Sequence, residues 1–151
     1  METHYVKTYL ITPNAGCINE AVIEISQEPG IGIHVLGMPD EKVKEGLLRV
    51  VTGIQSLGYS IPGKKIIINL AADIPVWHEA YQDTRWELLD YPIALGLMRL
   101  AGTPYYTGKY YIGEMALDGT IRQLRPDDTL AILNHFAIEA PIYGSKVLEE
   151  K

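Results

Sequence analysis

Gly30-Ile31-Gly32-Ile33-His34-Val35-Leu36-Gly37-Met38-Pro39-Asp40-Glu41-Lys42-Val43-Lys44 is the stretch on which the reading of the fold turns. Ile31, Ile33 and Val35 recur at every second position, the period of a short strand with one buried face. Gly37 bounds a turn, and Pro39 suits the first position of a helix, where its missing N–H costs nothing. Asp40 and Glu41 then place negative charge at the positive end of the helix dipole. The stretch predicts a strand-to-helix joint that sets how a first helix lies on a sheet.

Working outward, residues 4–11 are rich in Tyr, Val, Thr and Ile and read as a strand. Residues 12–16 form a Pro- and Gly-containing turn cluster. Across 17–27, Ala21, Ile23 and Ile25 alternate with Glu20, Glu24 and Ser26, so a hairpin with one wet face is expected. Downstream, Val43, Leu47, Val50, Val51, Ile54 and Leu57 mark one stripe of a helix over 40–57, with Arg49 among the polar residues off it. Gly58 is placed for a left-handed cap. Residues 65–71 (KIIINLA) are apolar on both faces and predict a central, doubly covered strand.

Residues 73–89 have no clean period and predict a long loop with room for a short helix. A buried helix is expected over 91–101, ended by Gly102-Thr103-Pro104. Residues 110–115 and 120–124 read as a hairpin around Asp118-Gly119. Pro126 starts a further helix to about Phe136, with a last strand over 138–143 and a polar tail. These elements predict one α/β domain of the α+β type over 1–151, a mixed sheet packed against helices.

A chain of 151 residues can bury one core without staples, and 47% hydrophobic residues with a mean hydropathy of +0.02 fit a soluble globular protein. The net charge of −6 argues against a broad nucleic-acid-binding surface. Cys17 is the only cysteine, so a reduced, cytoplasmic setting is expected. No apolar run approaches the roughly 20 residues of a spanning helix, and the first residues lack a signal-peptide pattern.

Chemistry-bearing residues are sparse. His4, His34, His78 and His135 lie far apart, without the HExxH spacing that puts two ligands on one helical face. His78 and Glu79 with Asp73 and Asp83 offer a carboxylate–imidazole cluster in the loop, against the plainer reading of a solvated polar segment. No serine carries a nucleophile motif, Gly30-x-Gly32 precedes a strand rather than opening a helix, and a Walker A phosphate loop is missing. Tyr105, Tyr106, Tyr110 and Tyr111 cluster around Gly108-Lys109; strand packing or interface burial suits them better than base stacking.

Four ordered segments carry a resemblance. They are residues 29–40 with Val43-Lys44-Glu45, then Ile66-Ile67-Ile68-Asn69-Leu70-Ala71, then Asp90-Tyr91-Pro92-Ile93-Ala94-Leu95-Gly96, then Ile112-Gly113-Glu114-Met115-Ala116-Leu117-Asp118-Gly119. Together they resemble the N-terminal, ChlI-like domain of the YifB/ComM group of magnesium-chelatase-like AAA+ ATPases. The resemblance implies a fold similar to the second domain of ribosomal protein five of the small subunit and to the Lon proteolytic domain. In that group the domain precedes an ATPase module, and ComM proteins are linked to DNA branch migration. Lon-like proteases use a Ser-Lys dyad, but the corresponding positions here are Ile93 and Asp128, neither of which can serve.

The expected function is therefore a non-catalytic binding or assembly domain, without cofactor or metal. It would act through self-association or a separately encoded AAA+ partner, using Tyr105, Tyr106, Tyr110 and the exposed side near His34 and Lys42. The alternatives are a metal-dependent enzyme sited in the 73–85 loop, or a DNA-processing accessory protein that meets nucleic acid only indirectly.

Overall fold

The computed structural model describes residues 2–12, 17–72, 84–105, 110–122 and 124–126. The loop residues Asp73, His78, Glu79 and Asp83 lie outside these, as do Tyr106, Asp128 and nearly all of the expected elements after Pro126.

Residues 30–44 form the joint that their pattern predicts. β3 (Ile33–Leu36) leads through Gly37 into α1 (Asp40–Ser56). Gly37 has φ +87°, and a Cβ there would stand 2.7 Å from the Leu70 carbonyl oxygen, so this turn requires glycine. Pro39 is the N-cap rather than the first helical residue: its ψ of 137° is extended, and its carbonyl accepts from the N–H groups of Lys42 and Val43, each at 3.0 Å. The helix closes as a Schellman motif, with Gly58 N–H donating to Gln55 O and Tyr59 N–H to Ile54 O.

The sheet has the order β1-β2-β4-β3, where β1 is Glu2–Thr12, β2 Cys17–Glu28 and β4 Lys65–Ala72. β1 and β2 pair antiparallel as the expected hairpin, β2 and β4 pair antiparallel, and β3 and β4 run parallel, joined through α1. The sheet is therefore mixed and packed against helices. β4 is central, but its burial alternates: Ile66, Ile68 and Leu70 are buried while Ile67 and Asn69 are half-buried. Doubly covered backbone occurs on β1 instead. Val6 and Leu10 enter the main core, whereas Tyr9 and Ile11 join Leu88, Ile112 and Leu124 in a second cluster on the other face.

A 3-10 turn (Trp86–Leu89) runs directly into α2 (Asp90–Leu100), so the aperiodic stretch ends in helix earlier than its pattern suggests. Every residue of α2 except Arg99 is buried. Among the described residues, the expected strands over 110–115 and 120–124 appear as isolated bridges, Lys7 with Tyr110 and Met115 with Ile121 among them. The Asp118-Gly119 turn does form, with Gly119 N–H donating to Ala116 O and Thr120 N–H to Asp118 Oδ1. Among the described residues no helix is long and apolar enough to cross a membrane.

Candidate functional site

α1, the start of α2 and the 114–122 turn converge on one polar cluster. Gly46 and Gly53 lie seven residues apart on the same face of α1, and both are buried. A Cβ on Gly46 would come within 3.5 Å of Asp90 Oδ1, and one on Gly53 would collide with Met115 and stand 3.1 Å from Ala116 O. The gap at Gly53 lets α1 approach the 114–122 turn closely, while a Cβ at Gly46 would make only ordinary contact. Arg49, between the two glycines, reaches the first residue of α2.

Arg49 Nε donates to Asp90 Oδ2 at 2.7 Å and Nη2 donates to Oδ1 at 3.1 Å, the bidentate fork that suits a carboxylate. The Met115 N–H donates to Asp90 Oδ2 at 3.0 Å, so one carboxylate ties two helices and the turn. Glu114 extends the network, 4.0 Å from Arg49 Nε and 3.6 Å from Arg122 Nε. Exposure rises outward, from 2% for the Asp90 side chain to 34% for Glu114 and 58% for Arg122. The outer ends line a polar cleft of about 220 Å³ with Glu45, Glu87 and Arg125.

Burial pushes the Asp90 carboxyl up to about 6, against the pull of the Arg49 hydrogen bonds, the Met115 N–H and the Arg49 charge. Its hydrogen bond to Asp90 raises Arg49 in turn, so the guanidinium stays charged. At neutral pH both members are ionised. The carboxylate accepts three hydrogen bonds that hold structure, which leaves it poorly placed to take a proton from a substrate. One turn into α2 is Ile93, 4% exposed and part of the main core. The cluster can pin elements and present charge; it places no nucleophile beside the carboxylate among the described residues.

The tyrosines lie at the β1 edge. Tyr105 OH donates to the Tyr5 carbonyl at 2.8 Å, and its ring meets Tyr111 edge-on at 6.1 Å. Tyr110 stacks on Tyr9 at 4.5 Å, donates its OH to Glu20 Oε1 at 2.9 Å and lies under Lys7 Nζ. Burial, with Tyr110 and Glu20 alongside, pushes the Tyr9 phenol up to about 12, so it stays protonated. His34 is exposed on β3, at the opposite edge of the sheet, and Lys42 is half-buried on α1, 3.9 Å from Glu45. The structure thus separates the tyrosines from His34 across the sheet's full width. Among the described residues no group of His, Cys, Asp and Glu is arranged to hold a metal.

Arg49, Asp90 and Glu114 were absent from the residues that sequence reasoning singled out. Asp90 and Glu114 do stand inside the third and fourth resemblance segments; Arg49 carries no signal beyond its place off the apolar stripe.

Comparison with known proteins covers the same cluster. Residues 23–138 match the family described as subunit ChlI of Mg-chelatase. The chain is 36% identical over 107 residues to the uncharacterized protein YifB of Escherichia coli K12, covering 66% of this chain and 19% of that protein. YifB of Salmonella typhimurium is 37% identical over 107 residues with the same coverage. The competence protein ComM of Haemophilus influenzae is 31% identical over 97 residues, covering 60% of this chain and 17% of ComM. The chain therefore spans about a fifth of the length of the relatives it matches.

Proposed function

Because the chain belongs to the family of subunit ChlI of Mg-chelatase, we propose that it is a non-catalytic binding and assembly domain acting in the cytoplasm, through a second copy of itself or a separately encoded AAA+ ATPase. The observation that carries this reading is the fate of the position where a Lon-like protease would hold its serine. That position is Ile93, a hydrocarbon side chain sealed in the main core one turn from Asp90. Asp90 itself is engaged on three sides in joining α1, α2 and the 114–122 turn. A fold whose best-organised polar group is structural supports a role in holding and presenting surface. A ring or dimer of the Lon-like type is the assembly that the resemblance favours.

Sedimentation velocity tests this over a range of concentration, with the chain alone and mixed with an AAA+ module of the YifB/ComM type. A concentration-dependent rise in sedimentation coefficient, or a mixed species, is expected. A monomer under every condition, with no mixed species, overturns the reading.

A further inference from the structure

β3 is an edge of the sheet, since the strand order is β1-β2-β4-β3. The Ile66 N–H donates to Gly32 O at 2.9 Å, with Ile33 level with Ile66. The alternation of a parallel ladder then turns the N–H and C=O groups of His34 and Leu36 toward β4. Those of Ile33 and Val35 point out of the sheet, and among the described residues nothing bonds to them. The other edge is covered along β1: Tyr105 OH donates to Tyr5 O, Tyr111 N–H to Lys7 O and Arg85 N–H to Ile11 O. β3 also lacks the charges and prolines that keep an open edge single, since residues 30–38 hold no Asp, Glu, Lys, Arg or Pro. Ile31 beside it is 84% exposed and Leu36 55%, two large apolar side chains left in water.

Resting on the assembly role above, we propose that the open edge of β3 pairs with the β3 edge of a second copy, antiparallel about a twofold axis at His34, making one sheet continuous through both chains. In that register Ile33 of each copy lies opposite Val35 of the other, and each such pair exchanges both N–H···O bonds. It is the register that satisfies every outward group of the strand. Gly32 at φ +94° and Gly37 at φ +87° turn the backbone away at both ends, so a slipped pairing would lose bonds without gaining others. Leu36 falls opposite Gly32, where no side chain stands and a Cβ would come within 3.4 Å of His34 Nε2. The leucine of one copy thus packs on bare backbone and an imidazole ring of the other. Running antiparallel also carries the exposed Asp40 and Glu41 of each α1 toward the end of the sheet where exposed Lys64 precedes the other copy's β4. An unrelated extended peptide would gain the backbone bonds alone. The match of Leu36 to Gly32 and of acid to base favours a second copy.

Cysteine cross-linking reads the register directly. In a Cys17→Ser background, His34→Cys puts thiols on facing residues whose Cα atoms stand about 4.5 Å apart, within disulfide reach, and oxidation is expected to give a linked dimer. Thr3→Cys in the same background, exposed on β1 and away from this edge, is expected to stay monomeric. Sedimentation equilibrium then measures the chain without cross-links. Wild type is expected to dimerise, and Leu36→Lys to weaken the dimer about tenfold or more, because a twofold interface meets each substitution twice. Leu117→Lys, at 57% exposure on the 114–122 turn, is the matched control and leaves the dimer unchanged. Either lysine reduces the net charge of −6, so general repulsion cannot cause a difference. Far-UV circular dichroism confirms that each variant is folded. Equal dimerisation of Leu36→Lys and Leu117→Lys overturns the proposal, as does a Thr3→Cys chain that cross-links as readily as His34→Cys. A wild-type chain that stays monomeric yet forms a mixed species with an AAA+ module of the YifB/ComM type also removes the edge pairing, and leaves the assembly role standing. A chain that forms neither complex removes both.

Discussion

The Asp90 side chain is 2% exposed and accepts hydrogen bonds from Arg49 Nε, Arg49 Nη2 and the Met115 N–H. Its partner along the fork is 41 residues away in sequence, and the Met115 amide 25. No local pattern announces such a meeting: Asp90 reads in sequence as a helix-start acid and Arg49 as a solvated face. The tyrosines show the same limit. Their clustering is legible, but that Tyr110 stacks on Tyr9 and Tyr105 caps the Tyr5 carbonyl depends on β1 lying beside them. For Asp90 the energetic consequence follows from burial. Its folded value of about 6 lies above the ordinary carboxylate value, so the folded state holds the proton at higher pH than the unfolded chain does. The stability that the protonated group contributes is present in full below about pH 4 and is lost as pH rises through about 6. Asp90→Asn removes this term. The stability difference, wild type minus Asp90→Asn, is expected to fall between pH 4 and pH 6.5 in urea titrations, and a flat or rising difference contradicts the account. Arg49→Ala at pH 7 leaves the carboxylate buried without its cation and is expected to cost about 3 kcal/mol, the low end for broken buried pairs because Arg49 is 24% exposed.

At the scale of elements, periodic signals were read correctly where one face alone is buried. The stripe on α1 and the alternation on β2 match the structure, and Gly37 and Gly58 stand where their backbone chemistry says they should, while Pro39 stands one position before the first helical residue. Reading failed where an element takes its order from neighbours. The Trp86–Leu89 turn is too short for a helical period, and the 110–122 segment adds to its own short hairpin pairing, Ala116 N–H to Thr120 O and Arg122 N–H to Glu114 O, bonds to β1, Leu88 and Asp90 that no local pattern shows. Ile67 and Ala71 made β4 look covered on both sides, yet Ile67 is only half-buried, Ala71 is exposed and Asn69 Nδ2 donates to Glu24 Oε1 at 2.6 Å on the open face. Gly53 was silent for the same reason: only the 114–122 turn, packed against α1, shows why it must be bare. Gly53→Ala gains about 1 kcal/mol of helix propensity. It also forces a methyl into Met115 and the Ala116 carbonyl, an overpacking that costs about 1–3 kcal/mol. Net destabilisation is expected by thermal melting. Gly63→Ala, where a Cβ would meet nothing within 4 Å, is the matched comparison and is expected to leave the melting temperature within about 2 °C.

At the scale of the molecule, the two hydrophobic clusters are interlocked along the backbone. β1 sends Val6 and Leu10 into the main core and Tyr9 and Ile11 into the second. The 3-10 turn sends Leu89 to the first and Leu88 to the second, and the next segment divides Tyr111 from Ile112 in the same way. Neighbouring residues on three separate segments thus face opposite clusters, so neither cluster can melt while the backbone of the other stays in place. The expected result is one cooperative transition over the described part of the chain. Trp86 is 4% exposed in the main core and reports it by fluorescence, in a Trp77→Phe background that leaves Trp86 as the single tryptophan. Its urea midpoint should coincide with that from far-UV circular dichroism. Ile112→Ala, a truncation in the second cluster, should then lower both midpoints together by an amount equivalent to about 2–5 kcal/mol. Interlocking is refuted if that variant shifts the circular dichroism transition while the Trp86 transition stays where it was, because the clusters would then unfold as separate units.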